Sequence, residues 1–182
     1  IRTKFGDLLD STPDGIVIVN STGRMVLVNT QARKMFGYDA SELLGQPVEA
    51  LLPHRYRSMH VGHRAGYVAH SHIRIMGAGL ELFGLRKDGV EFPVEISLSP
   101  VQTDEGVFSM SAIRDTSERK KAEQKFRDLL ESAPDAIVIV NEKGEIVLVN
   151  SQTEKLFSYP REELLGKKIE VLIPSRFKAR HP

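Results

Sequence analysis

Apolar positions along this chain follow two rhythms. Over 91–98, Phe92, Val94, Ile96 and Leu98 alternate with Glu91, Glu95 and Ser97, the period-two pattern of a strand buried on one face and wet on the other. Val107 to Ile113 reads as a second such strand, and 16–20 and Met25–Val28 as two shorter ones joined by the turn residues Ser21-Thr22-Gly23. Between these blocks the spacing turns helical. Ile1, Phe5 and Leu8 share one side of a short helix over 1–9, which Ser11-Thr12-Pro13-Asp14-Gly15 breaks. Short helices are predicted over 30–36 and 41–44, the second closed by Gly45, with a helical turn over 48–52 ended by Pro53. The longest helix candidate of the first half runs over 55–69. Leu80 and Leu82 precede Lys87-Asp88-Gly89, where Asp-Gly predicts a two-residue hairpin turn. Two strands, several short helices and three more strands describe an α+β domain, a five-stranded antiparallel sheet with short helices on one face.

The same pattern then begins again. Residues 1–61 align without a gap on 122–182, with 31 of the 61 positions identical. Pro13-Asp14 returns as Pro134-Asp135, Val26-Leu27-Val28-Asn29 as Val147-Leu148-Val149-Asn150, Glu42-Leu43-Leu44-Gly45 as Glu163-Leu164-Leu165-Gly166, and His60 as His181. A period of this size is a domain, not a solenoid repeat. The expected organisation is one complete domain over 1–115, a linker or coupling helix over 116–132, and the N-terminal half of a second domain over 133–182. Asp115 or Ser117 can cap the linker helix. Its apolar stripe of Ala122, Phe126, Leu129 and Leu130 is read either as one side of a solvated spacer or as a seam that pairs with a second copy. The half domain exposes a strand edge and an apolar face, so exchange of like strands between two chains, a swapped homodimer, is one expectation for it, and a truncated piece of a longer protein is the other.

Composition narrows the function classes. The 25 Lys+Arg against 24 Asp+Glu give no electrostatic footprint for nucleic acid. The longest aliphatic run, Ile16-Val17-Ile18-Val19, is far too short for a membrane span, and the absence of cysteine fits a cytoplasmic protein without disulfides. Ser, His and Asp occur, but in no motif that sets a nucleophile beside a base, so an enzyme is not expected.

Pro13-Asp14-Gly15-Ile16, Val28-Asn29, Phe36-Gly37-Tyr38, Glu42-Leu43-Leu44-Gly45, Lys87-Asp88-Gly89, Phe92-Pro93 and Ile113-Arg114-Asp115 together resemble the PAS domain family, over the whole chain. The resemblance implies the PAS fold and a sensory and dimerising module of a bacterial signal-transduction protein. The output domain, a histidine kinase or a cyclic-nucleotide enzyme for instance, would lie on the same polypeptide. Thr116-Ser117 departs mildly from the family's aliphatic-Thr pattern after the Asp, and Asp115 with Ser117 is the expected signal-coupling point.

The flavin photoadduct and the thiol-anchored chromophore found in some PAS domains need cysteine, and the flavin redox type leans on tryptophan; this chain has neither. Haem b remains. Five of the six histidines fall between 54 and 72, and His60 lies seven residues after Pro53, where haem PAS domains of the rhizobial oxygen-sensor type carry the axial iron ligand. On that resemblance Ile75, Ile96 and Leu98 line an apolar distal pocket with Ala78, and Arg74 pairs with a haem propionate. Leu80 stands where those sensors carry an arginine that hydrogen-bonds O₂, and Gly66 replaces a second propionate-pairing arginine. A ligand-free interaction scaffold, or an apolar lipid-like ligand under Leu80, Ile96 and Leu98, is the alternative. A zinc site on His60 and His63 lacks the acids or thiols to complete it.

Overall fold

The structure is a computed structural model that describes residues 8–69, 74–76, 81–104 and 106–178. The chain divides into two compact units, 1–118 and 119–182. The helix expected over 1–9 lies outside the described residues except for its last turn, where residues 8–10 are helical.

The first unit is built on an antiparallel sheet. Strands β1 (Gly15–Val19) and β2 (Met25–Val28) form a hairpin with Val17 opposite Val28 and Val19 opposite Met25. Strand β6 (Gly106–Asp115) inserts beside β1, and β5 (Glu91–Thr103) lies beside β6. The free edge of β5 carries two short segments, β3 (Arg74–Met76) and β4 (Leu82–Leu85), which pair with different stretches of it. The order β2-β1-β6-β5-β3/β4 therefore has five strand positions and six segments, as the predicted five-stranded sheet requires. Strand β5 runs to Thr103 rather than stopping at Leu98, because the hairpin with β6 continues its ladder through Val101 opposite Phe108 to Thr103 opposite Gly106. The β4–β5 turn is also one residue longer than Asp88-Gly89 alone suggests. Arg86 N–H bonds to Val90 O at 2.9 Å, Gly89 N–H bonds to Arg86 O at 2.9 Å, and Gly89 sits at φ 86°, a three-residue loop closed by a left-handed residue.

Helices α1 (Thr30–Phe36), α2 (Ala40–Leu43) and α3 (His54–Ala69), with a 3-10 turn at Val48–Leu51, connect β2 to β3. The core lies between them and the inner sheet face: Val17, Val19, Phe92, Val94 and Ile113 from the strands meet Ala32, Phe36, Leu43 and Leu51. Phe36 and Phe92 meet edge-on at 5.3 Å, directly over Gly84, where a Cβ would lie 2.9 Å from both rings.

Helix α4 (Ser117–Ser132) leads to the second unit, which repeats the first as far as it goes: strands β7 (Val138–Val140) and β8 (Ile146–Val149), helices α5 (Ser151–Phe157), α6 (Arg161–Leu164) and α7 (Ser175–Lys178), and a 3-10 turn at Ile169–Leu172. Strand β7 is shorter than β1 for a physical reason. Strand β1 is paired on both sides, and its ladder with β6 begins at Gly15 opposite Ile113; among the described residues β7 pairs only with β8. The core of this unit is correspondingly small, Ile146, Val149 and Leu164.

Candidate functional site

The site is organised by the 3-10 turn. Val48 N–H bonds to Gly23 O at 3.0 Å and Met25 N–H to Gln46 O at 2.9 Å, so the β1–β2 hairpin holds the turn in place. Leu51 points into the core, and Glu49 is buried with it, 7% exposed. Pro53 then starts α3, and Arg57 folds back to donate to Leu52 O at 3.0 Å and Ala50 O at 3.4 Å. One turn further, His60 Nδ1 lies 3.0 Å from Glu49 Oε1. Against an ionised carboxylate Nδ1 is the donor, and in a neutral ring with that tautomer the lone pair stands on Nε2. Glu49 was not legible as a site residue, because a single acid in a short turn reads as solvated.

Ile96 and Leu98 lie at the far end of the inner sheet face. Along β5 burial falls from Phe92 and Val94, at 3% and 5% exposed, to the half-buried Ile96 and Leu98. Ile96 packs on the rim of the core. Strand β3 sets Arg74 opposite Leu98, Ile75 opposite Ser97 and Met76 opposite Ile96. That register puts Met76, rather than Ile75, across from Ile96, and Met76 is half-buried. The side chains of Arg74, Ile75 and His63, and all of Ala78 and Leu80, lie outside the described residues. No group of three His, Cys, Asp or Glu able to hold a metal ion occurs among the described residues.

The expected coupling point forms a compact clamp. Asp115 Oδ1 accepts the Ser117 N–H at 2.8 Å, which caps α4, and Oδ2 accepts from Arg86 Nη2 at 2.7 Å. Arg86 also donates to Met35 O and lies 3.9 Å over the Phe92 ring. Burial pushes the Asp115 carboxyl up, but the hydrogen bonds from Ser117 and Arg86 more than offset it and hold it below the usual carboxylate range. The buried Thr116 donates its N–H and hydroxyl to Pro93 O at 3.0 and 3.2 Å, so the hydroxyl that replaces an aliphatic side chain here fastens the strand end to β5.

A second buried joint is Asn29. Its Oδ1 accepts from Ile16 N–H at 2.7 Å and Ala32 N–H at 2.9 Å, and its Nδ2 donates to Leu9 O at 2.9 Å and Asp14 O at 3.0 Å. Asn150 repeats all four bonds, to Ile137, Thr153, Leu130 and Asp135. The signal that could have found it was its return at the repeat offset.

Comparison with known proteins decides the family. A PAS domain model matches residues 13–118, and a PAS fold model matches 124–181. The chain belongs to the PAS domain family. Its relatives include the Sensor protein FixL of Bradyrhizobium diazoefficiens, 28% identical over 128 residues, 70% of this chain and 25% of that protein. The Oxygen sensor protein DosP of Escherichia coli is 24% identical over 93% of this chain and 22% of its own length. Sporulation kinase E of Bacillus subtilis is 29% identical over 96% and 24%. The chain thus spans about a quarter of the length of these relatives. Among solved structures, the PAS domain of a Colwellia psychrerythraea protein has a TM-score of 0.55 at 21% identity, covering 65% of this chain and 98% of that one. The PAS domain of Bordetella pertussis BvgS has a TM-score of 0.53 at 21% identity, covering 72% and 98%. These likenesses show the PAS fold. No helix among the described residues is long and apolar enough to cross a membrane.

Proposed function

We propose that the first PAS unit is a sensory module of a larger signalling protein and that it holds haem b through His60. The observation that carries this reading is the His60–Glu49 pair, with an apolar wall expected from the family resemblance: a neutral imidazole with one nitrogen engaged is the form in which histidine ligates a metal. Ile96 and Leu98 would supply the wall, Met76 stands across from Ile96, and Arg74 is registered opposite Leu98, the position the family resemblance gives to a propionate partner. Bound haem supplies an iron with one axial position open to a small gas. The kinship with a protein named an oxygen sensor supports the reading. Its work is sensing, and catalysis belongs to an output domain on the same polypeptide, as in the kinase relatives.

The test is an absorption spectrum of the purified protein after haemin is added and the excess removed. A sharp Soret band that shifts with CO and is lost in His60→Ala is expected; a spectrum of free haemin overturns the haem reading. The second reading is a ligand-free scaffold, and it draws on the same pair, because His60 and Glu49 also tie α3 to the 3-10 turn without any ligand.

Relay would run through α4. The stripe of this helix stands open, with Phe126 53% and Leu129 60% exposed, and we take it as the seam for a second copy of the chain. Light scattering should report a dimer that Phe126→Asp with Leu129→Asp converts to monomer; a wild-type monomer sinks the seam.

A further inference from the structure

We propose that Glu49 is the positioning residue of His60: it fixes the tautomer that frees Nε2 and makes that nitrogen a stronger donor, so that a haem held there is biased toward the ferric state. This rests on the reading of His60 as the haem ligand. The geometry is specific. The carboxylate lies 3.0 Å from Nδ1, and its side chain is only 9% exposed, against 24% for His60. Glu49 cannot drift, because it sits inside a turn closed by Leu52 N–H on Glu49 O at 3.1 Å and held to the hairpin through Val48. A buried carboxylate that accepts from a ligand imidazole draws the ring toward imidazolate character and raises its basicity. A more basic axial ligand favours the higher charge of ferric iron over ferrous.

The repeat keeps the same two residue types at the same spacing. Glu170 and His181 stand at the same spacing of 11 residues, and Glu170 occupies the matching 3-10 turn with its Oε2 buried. His181 lies outside the described residues. His54, at the start of the same helix α3, is exposed and faces no such carboxylate bond among the described contacts. The bias adds to the distal side read from the sequence, where Leu80 offers bound O₂ no donor.

The experiment uses the full chain with Glu49→Gln, which keeps size and an acceptor but removes the charge, and Glu49→Leu, which removes both. Circular dichroism and a melting curve establish that each folds. In the haem-free protein, long-range ¹H–¹⁵N correlation reads the His60 tautomer. Wild type is expected to show Nδ1–H, and Glu49→Leu to gain Nε2–H; Nε2–H in wild type overturns the positioning role. In the haemin-loaded protein, spectroelectrochemistry reads the midpoint. Losing an outer partner of a metal ligand typically costs about 10-fold to 100-fold in metal affinity, and a tenfold loss borne by the ferric state alone is about 59 mV in a one-electron couple. Glu49→Gln should raise the midpoint by about that much. An unchanged midpoint in a variant that still binds through His60 overturns the ferric bias. No haem uptake by wild type defeats the haem reading and the bias with it, while the tautomer still decides whether Glu49 positions the ring.

Discussion

Asp115→Ala tests whether the strand end and the linker helix are held by the clamp described above. Two bonds are lost. The Ser117 N–H loses its cap, worth about 1 kcal/mol. Arg86 loses a charge-assisted partner, for which about 1.5–3 kcal/mol is usual. Both side chains are 28% exposed, so the lower end applies, discounted for solvent to about 1 kcal/mol. The sum, about 2 kcal/mol, should move the urea midpoint of the first unit down by roughly 1 M at a slope near 2 kcal/mol per M. Amide exchange at Val94 and Ile113, both buried in the central strands, assigns the transition to that unit. Asp115→Asn keeps an acceptor for Ser117 and should lose only about half as much. The pH dependence has a fixed sign. The native carboxyl is held below its ordinary range, so the stability it contributes is fully present above the unfolded value of about 3.9 and fades as pH falls through the lower native one. The gap between wild type and Asp115→Asn should be flat from about pH 6 to 8 and close below about pH 4. A midpoint shift under about 0.3 M for Asp115→Ala, or a gap that widens in acid, would refute the clamp.

Other substitutions probe separate parts of the fold. Asn29→Ala strips a cap and leaves the buried Ile16 N–H without its bond, at a cost of about 3 kcal/mol by urea titration; a loss under 1 kcal/mol would show that the joint is dispensable. Gly84→Ala forces a methyl group against Phe36 and Phe92 and should cost about 1–3 kcal/mol, seen as a lower melting temperature; an unchanged melting point contradicts the packing. In the second unit Arg161 bridges Glu131 at 2.9 Å and Glu154 at 2.7 Å; the Ser151 N–H and then Arg161 hold the Glu131 carboxyl below its usual range, and Arg161 holds that of Glu154 below it. Arg161→Ala should therefore speed amide exchange in the last turn of α4, and by less in high salt; exchange unaffected at any salt would remove the bridge from the account.

Most of the sheet was legible because its strands are half-wet. The alternation of Phe92, Val94, Ile96 and Leu98 with polar neighbours is imposed by one buried face, and it survives in the burial of those residues. Turn glycines and Pro53 marked the breaks between elements for the same local reason. Pairing at a distance leaves no such trace. Nothing in Arg74–Met76 or Leu82–Leu85 announces that both share the edge of β5, and the extension of β5 to Thr103 follows from a partner strand rather than from its own composition. The site divides in the same way. His60, seven residues after Pro53, and Asp115, at the close of Ile113-Arg114-Asp115, stood out through the family resemblance. Glu49 and Arg86 gained their meaning only from what they touch, a ring eleven residues on and a carboxylate 29 residues on.

The internal repeat explains the bonds at the two ends of the linker helix. At its start, the Ser117 N–H is capped by Asp115, at the end of the strand that binds both β1 and β5. At its last turn, Leu130 O accepts from Asn150, and Glu131 accepts from Ser151 N–H and Arg161. The first unit shows that this second joint is a property of the domain and not of the linker, since Leu9 O is held by Asn29 and Thr30 N–H by Asp10 in the same way. The first unit has Ala40 where the second has Arg161, Arg33 where it has Glu154 and Asp10 where it has Glu131, so among the described residues this three-membered ion-pair lock occurs in the second unit. Between these two joints the helix carries the exposed Phe126 and Leu129. Asp115 holds the first turn of the helix through the Ser117 N–H, so removing that one carboxylate tests how firmly this end is fastened to its strand.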